Sequence, residues 1–559
     1  MMKRSTQRTI VFPAIIAFGL LFILIICPLL MIFVRALFVD GQFSPGPAWE
    51  ALTAPENLQM ISNSLLLAVL VVIVSTIIAT PLAALFSRTQ FARYRAFDVI
   101  FLIPFMTPPY ISSMGWILFM QKRGLLQQLL PFTKGSEDLF FSLSGLVLVM
   151  SLHVFPFMLT LLKNAMLNIP SSLDEAGAVF GAAKGQRLRK IFFPLLSGNY
   201  AIGALLVFVK TLSEYGTPAT LGKRIGYDVF TTQIHRFSTV APVDFGKSAT
   251  LASVLIGICL LMWSLQNTIT ARRSYRLVSG KGSRQKTNEL RGLSLVLAWF
   301  FVVFILLLSI GVPYFSVIST SLIKLRGFGL APRNFTFQHY VELFTANPKG
   351  VRAITNSFLL AVSSATICAV LGTILVLIMR RLKGKGSKGT AKSLEGIALL
   401  PEMLPSIVLV IGLMLFWNRL YKILPLYNTM GMMVLAYVVL YLPYTIQYLG
   451  SAFTQISDSL LEAGRVFGAS PRTLFLKITL PLISKGIFSG WAMTFIIAFR
   501  ELVTASLVAP PNQLVISTFI TREFEQGSVS VGMAMAVLCV LFTTTVLLLL
   551  NLGMRKEQA

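Results

Sequence analysis

Apolar and polar positions fall into blocks along this chain. Runs of about 18 or more apolar residues recur from end to end, and a helix needs about 20 residues to cross the hydrocarbon core of a bilayer. Twelve such runs are predicted to be membrane spans, at 11–38, 62–87, 98–120, 142–163, 196–219, 247–269, 293–320, 356–380, 394–417, 430–452, 485–509 and 531–553. The expected fold is all-α and polytopic. The first run is longer than a signal-peptide core and lacks a clear cleavage site, so it is read as a retained span.

The polar connections repeat. Glu175-Ala-Gly-Ala-Val-Phe-Gly181 returns as Glu462-Ala-Gly-Arg-Val-Phe-Gly468, and Pro156, Pro194 and Glu214 return at the same spacing as Pro443, Pro481 and Glu501. Asn63-Ser-Leu-Leu-Leu-Ala-Val matches Asn356-Ser-Phe-Leu-Leu-Ala-Val, and Leu102-Ile-Pro-Phe-Met-Thr-Pro108 matches Leu399-Leu-Pro-Glu-Met-Leu-Pro405. The chain is therefore two copies of one membrane unit. The expected division is a first half at 1–270, a basic linker at 271–292 and a second half at 293–559. Six spans per half is an even number, so both halves share one orientation and are expected to be related by a two-fold axis along the membrane normal.

Composition agrees with the block pattern: 55% of residues are hydrophobic, 12% are charged, and the mean hydropathy is +0.77. The net charge of +27 changes the picture only through its distribution. Arg88, Arg93 and Arg95 follow the second run, Arg272, Arg273, Arg276, Lys281, Arg284, Lys286 and Arg291 the sixth, and Arg380, Arg381, Lys383, Lys385, Lys388 and Lys392 the eighth. Lys3, Arg4 and Arg8 precede the first, whereas the connection 39–60 carries Asp40, Glu50 and Glu56 with no Lys or Arg. Basic residues gather in cytoplasmic loops, so both termini and the even-numbered connections are placed in the cytoplasm. Topology accounts for the charge, and nucleic-acid binding is not needed to explain it. Cys27, Cys259, Cys368 and Cys539 all lie inside apolar runs, where they act as small hydrophobes. His153, His235 and His339 lack metal-ligand spacing, no catalytic set can be placed on one surface, and neither a metal site nor a catalytic one is expected.

Each repeated polar segment opens on a helix-start signal. Ser172 to Glu175 and Ser459 to Glu462 both fit a capping box. A short helix then reaches Gly181 or Gly468, where glycine allows a sharp turn. Basic amphipathic stretches follow and are expected to end at Pro194 and Pro481. The product is a compact elbow, either a plain connector or a docking surface offered twice. The pattern Glu-Ala-Gly-x-x-x-Gly-Ala, followed by Ile-x-x-Pro-Leu at Ile191 to Leu195 and Ile478 to Leu482, resembles the cytoplasmic loop of type I ABC-importer permeases. In that family the loop forms a coupling helix seated in a groove of the ATP-hydrolysing subunit. The resemblance spans nearly the whole chain and assigns that role to Glu175, Ala176, Gly177, Gly181 and Ala182, and to Glu462, Ala463, Gly464, Gly468 and Ala469. Gly177 and Gly464 stand where the family pattern has a second alanine.

The resemblance implies an ATPase dimer and an extracytoplasmic solute-binding protein as partners, with ATP and Mg held by the ATPase. No cofactor is expected on this chain, which has no phosphate loop: Gly384 to Gly389 is the nearest approach, and Thr390 stands where Lys is required. The cell membrane of a bacterium is the implied location. The segment Phe208 to Gly222 resembles iron(III) importer permeases, while fused thiamine, phosphonate and sugar-phosphate permeases, and polyamine permeases, stay open as alternatives. A secondary transporter of the major facilitator type also has twelve spans in two like-oriented halves, but does not account for the paired loops.

Ionisable residues inside spans are expensive and are functional candidates by default. Glu214 and Glu501 occupy equivalent points, with Lys210 one helical turn before the former and Arg500 beside the latter. They are read either as groups lining a path or gate, or as structural ion pairs. Pro104, Pro108 and Pro109, with Pro401 and Pro405, mark kinked or irregular backbone at matched places.

Overall fold

The computed structural model describes residues 2–39, 41–272, 289–384 and 386–555. Residues 273–288, most of the expected linker, lie outside them together with Lys385. Ten helices are long and apolar enough to cross a membrane: Phe12–Leu37, Pro55–Arg88, Leu143–Leu167, Gly185–Ser213, Phe245–Thr270, Leu293–Leu322, Pro348–Gly384, Met430–Thr454, Pro471–Phe499 and Val529–Leu549. Two further spans are broken pairs, Ala96–Met106 with Pro109–Met120, bent by 86°, and Lys388–Met403 with Ser406–Arg419, bent by 109°. In chain order these are spans 1 to 12, the broken pairs being spans 3 and 9. Among the described residues the only sheet is a two-stranded hairpin, Phe38–Val39 with Gln42–Phe43.

The breaks have a local cause. A residue before proline is pushed out of the helical region. Thr107 (ψ 130°) and Leu404 (ψ 149°) are extended, Pro108 and Pro405 follow them, and each helix restarts in a new direction. Among the prolines that leave their helices unbroken, such as Pro81, Pro156 and Pro443, four more are carried by a widened turn. Pro28, Pro194, Pro313 and Pro481 each follow a single wide π-turn, at Phe22–Ile26, Leu188–Phe192, Leu307–Gly311 and Phe475–Thr479. A proline lacks an N–H and its ring collides with the carbonyl one turn back. One extra residue in that turn moves the carbonyl aside. For this reason Pro194 and Pro481, expected to end the basic stretches, instead lie within continuous helices that run on as spans 5 and 11.

The chain packs as two compact units, one of Met1–Ala51, Ile234–Ser253 and Gln338–Ala559, the other of Leu52–Gln233 and Val254–Phe337. The spatial units and the sequence repeat differ in two respects: Ile234–Ser253 of the first half groups with second-half helices, and the opening spans are exchanged. Span 1 packs with second-half helices, against Ser406–Arg419, and span 7 with first-half helices, against Pro109–Met120. The contact is the same in each unit. A Cβ on Gly115 would lie 2.7 Å from the Pro313 carbonyl oxygen, and one on Gly412 would lie 2.6 Å from that of Pro28. Small residues let helix backbones approach closely in lipid, where packing rather than water expulsion drives association.

Each unit also holds a three-helix bundle. Spans 2, 4 and 5 pack together in one, spans 8, 10 and 11 in the other. Gly203 lies against Met158 and its counterpart Gly490 against Thr445, whose hydroxyl hydrogen-bonds Thr494 at 3.1 Å. This bundle fixes where the following polar segments emerge.

Candidate functional site: two matched elbows

Spans 4 and 10 end at an anchored point. The Arg88 guanidinium donates to the carbonyls of Met166 (2.7 Å) and Ile169 (3.1 Å), and Arg380 donates to those of Phe453 (3.5 Å) and Ile456 (3.3 Å). The last carbonyls of a helix lack intrahelical partners, and a cation there satisfies them and complements the helix dipole. Arg88 also stacks 5.0 Å over the Phe192 ring, beyond the elbow. Their sequence positions marked these arginines only as topological charges, and their structural part emerges in the fold.

The elbows follow at once. Ser171–Val179 and Asp458–Val466 are nine-residue helices, and each ends at a glycine in the left-handed region, Gly181 at φ 76° and Gly468 at φ 78°. In both, the glycine N–H bonds the carbonyl three residues back, at 3.0 Å. The next residue, Ala182 or Ala469, bonds the carbonyl five back, at 2.9 and 3.0 Å. These paired bonds form the Schellman stop, which needs a positive φ at the glycine. The expected capping boxes do not form. Extended Pro170 and Ser457 take the N-cap positions, which puts Ser172 and Ser459 inside the first turn, and neither cap residue makes a side-chain capping bond.

Glu175, Ala176, Glu462 and Ala463 are exposed, whereas Gly177 and Gly464 are half-buried. A Cβ on Gly177 would approach Ile191 to 3.0 Å, and one on Gly464 would approach Leu474 to 3.0 Å. Close approach of the next helix therefore explains glycine at these two positions. The sequence reading missed the neighbouring pair. Val179 and Phe180 are 84% and 89% exposed, and Val466 and Phe467 are 84% and 90% exposed. An aliphatic and a phenyl side chain stand outward at the tip of each elbow. Their repetition was visible within Val-Phe-Gly, but repetition alone did not say which way they point.

Glu214 and Glu501 mark a second matched feature. Spans 5 and 11 stop at Ser213 and Phe499, short of the predicted ends. Glu214 then accepts the N–H of Thr217 at 3.0 and 3.1 Å. Glu501 accepts those of Thr504 (2.9 and 3.1 Å) and Ala505 (3.3 Å). Both carboxylates cap the helix that restarts beyond the break, where the dipole favours negative charge. The break is tied again through the main chain, with Thr231 Oγ1 donating to the Glu214 carbonyl (2.8 Å) and Ser517 to that of Glu501. Lys210 Nζ lies 5.8 Å over the Phe157 ring, and Arg500 directly follows the last helical residue of span 11, Phe499. Alanine at Glu214 or Glu501 should cost about 1 kcal/mol of stability, read as a lower melting temperature in detergent, while glutamine, which keeps an acceptor, costs less. Equal melting of the alanine and glutamine variants at either position would rule out the capping role there.

The histidines are dispersed: His153 sits by Phe105, His235 Nε2 pairs with Ser506 at 3.1 Å, and His339 lies beside Glu342. Among the described residues, no three His, Cys, Asp or Glu side chains gather as a metal site.

Two stretches of the chain, 77–275 and 382–555, match the family of binding-protein-dependent transport system inner membrane components. The chain belongs to this family. Each matched stretch contains an elbow and the capped break, and neither includes the exchanged spans 1 and 7. It is a multi-pass permease of the inner membrane. A ferric transport system permease of Actinobacillus pleuropneumoniae is 27% identical over 529 residues, covering 92% of this permease and 74% of its own length. An Fe(3+)-transport system permease of Haemophilus influenzae is 26% identical over 536 residues, covering 94% and 96%. A spermidine/putrescine transport system permease from the same organism is 26% identical over 260 residues, covering 46% of this permease and 96% of itself. One half of this chain thus corresponds in length to a whole polyamine permease.

Proposed function

We propose that this permease is the translocation path of a binding-protein-dependent importer for ferric iron, driven by a separate ATPase dimer that docks on the two elbows. The single observation that carries the docking reading is the Val-Phe pair held outward at the tip of both elbows. A fully exposed phenylalanine beside a basic helix is a natural anchor for an apolar groove on another protein. Two like elbows suit a partner with two like grooves. The chain has no phosphate loop, so ATP and Mg belong to the partner, which moves the elbows while this chain supplies the path and performs no hydrolysis. An extracytoplasmic binding protein delivers the cargo to the opposite face. The basic connections put both termini and the elbows in the cytoplasm. Iron is the cargo read from the relatives that align with both halves, each named for ferric transport.

The test is recovery of the ATPase with the tagged permease from host membranes, together with uptake of radioactive ferric iron, sulfate and putrescine. Wild-type permease should carry the ATPase and take up iron. Replacing Gly181 and Gly468 with valine forces an L side chain into the left-handed region at about 1–2 kcal/mol each. Nothing crowds either position, so strain at the turn is the only cost. The double variant should accumulate normally yet lose the ATPase and uptake together. Uptake that continues without any ATPase would overturn the reading.

A further inference from the structure

Span 10 presents Tyr437, Tyr441 and Tyr444 at helical spacing on one face, the first two rings 5.7 Å apart and the second two 6.4 Å apart. Tyr437 and Tyr441 are buried and Tyr444 is half-buried. One turn further, the Gln447 amide donates to the Glu402 carboxylate, and both residues are exposed. Glu402 lies at the break of span 9, between Pro401 and Pro405. A carboxylate within a candidate membrane span is not left facing lipid, so this exposed end meets water or protein. The result is one continuous polar face inside a single unit, running from buried phenols to an exposed carboxylate and amide.

The first half has no such face. At the equivalent positions stand Phe105 for Glu402, Met150, Val154 and Phe157 for the three tyrosines, Thr160 for Gln447 and Ser213 for Arg500. Phe105 packs edge-on against Phe157 at 4.5 Å where the second half has its carboxylate and phenol. The capping glutamates are common to both halves, so capping does not explain the difference. A face built only for packing would tolerate the apolar set that the first half uses. Phenol and carboxylate oxygens are hard donors, suited to a small, highly charged cation and ill suited to soft or apolar cargo.

We propose that this face of the second half, Tyr437, Tyr441 and Tyr444 with Glu402 and Gln447 at its exposed end, holds the cargo in transit as an oxygen-ligated ferric ion. The proposal rests on the ferric reading of the cargo. The test uses the full permease with its ATPase, comparing wild type with Tyr441→Phe/Tyr444→Phe and with Glu402→Gln. Both changes keep side-chain shape, and recovery of the ATPase reports that assembly is intact. Uptake of radioactive ferric iron should fall at least about tenfold in each variant, the scale of losing one ligand-shell group. Ferric nitrilotriacetate added to the purified wild-type complex should give a visible phenolate-to-iron charge-transfer band, absent from the double tyrosine variant. Wild-type iron uptake with undiminished uptake and band in the variants overturns the site alone. Absence of ferric uptake by the wild type overturns the cargo reading and, with it, this site.

Discussion

Leucine at Gly115 or at Gly412 is expected to prevent the permease from accumulating as a folded protein. At both positions the first atom of any side chain meets main chain. A Cβ at Gly115 lies 2.7 Å from the Pro313 carbonyl oxygen and 2.9 Å from its Cα, and one at Gly412 lies 2.6 and 3.0 Å from the Pro28 oxygen and carbonyl carbon. A side-chain tip could rotate away, but these backbones are fixed by the π-turns and prolines of spans 1 and 7. Overpacking of a well-filled interior costs about 1–3 kcal/mol for the smallest additions, which alanine already represents here. Leucine adds three further carbons along the same line and must separate the helices. The readout is the melting temperature in detergent, followed by size-exclusion chromatography, with Gly257→Leu as control because nothing lies within 4 Å of that position. Wild-type melting of Gly412→Leu would show that the span 1 contact is dispensable.

That contact also shows where sequence reading stops. The spans were legible because lipid allows few solutions to the backbone hydrogen-bond problem, and hydropathy marks them directly. The broken spans were legible too, through Pro104, Pro108, Pro401 and Pro405. The exchange of spans 1 and 7 was not. Hydropathy says that a helix is buried in lipid but not which neighbour covers it, and Gly115 and Gly412 are ordinary small residues until their partners are known. The unbroken passage through Pro194 and Pro481 was hidden for a related reason. Pro194 and Pro481 are carried by the widened turn before them, and a single π-turn has no sequence signature.

The candidate site divides in the same way. Repetition identified the elbows, and the turns at Gly181 and Gly468 followed from residue type. The N-terminal caps did not, because Pro170 and Ser457 displaced the serines by two positions. Arg88 and Arg380 were read as markers of a loop's side, since a cation's carbonyl partners across the bundle are not local in sequence. The tyrosine face escaped because tyrosine counts among the apolar residues of a span. Aligned pairs such as Phe105 with Glu402 and Ser213 with Arg500 were the available sign that the halves had parted chemically.

Charge at the elbow tips should uncouple the permease without unfolding it. Phe180 and Phe467 are 89% and 90% exposed, so aspartate at either position breaks no packing within the chain. Each stands just before the glycine of a Schellman stop whose bonds are entirely main-chain, so the turn survives the change. In an apolar groove on a partner, by contrast, a buried carboxylate without a counter-charge is severely penalised. An aromatic anchor at the centre of an interface is worth about 2 kcal/mol or more, so losing two amounts to roughly a thousandfold in affinity. The single variants should behave differently from the double. One intact elbow keeps the second close to its groove at high effective concentration, so Phe180→Asp or Phe467→Asp alone should retain part of the ATPase. The double variant should retain none, while its melting temperature in detergent matches wild type. Full ATPase recovery by the double variant would move the docking surface away from the elbow tips, whereas a lowered melting temperature would show that these phenylalanines are packed within the permease itself.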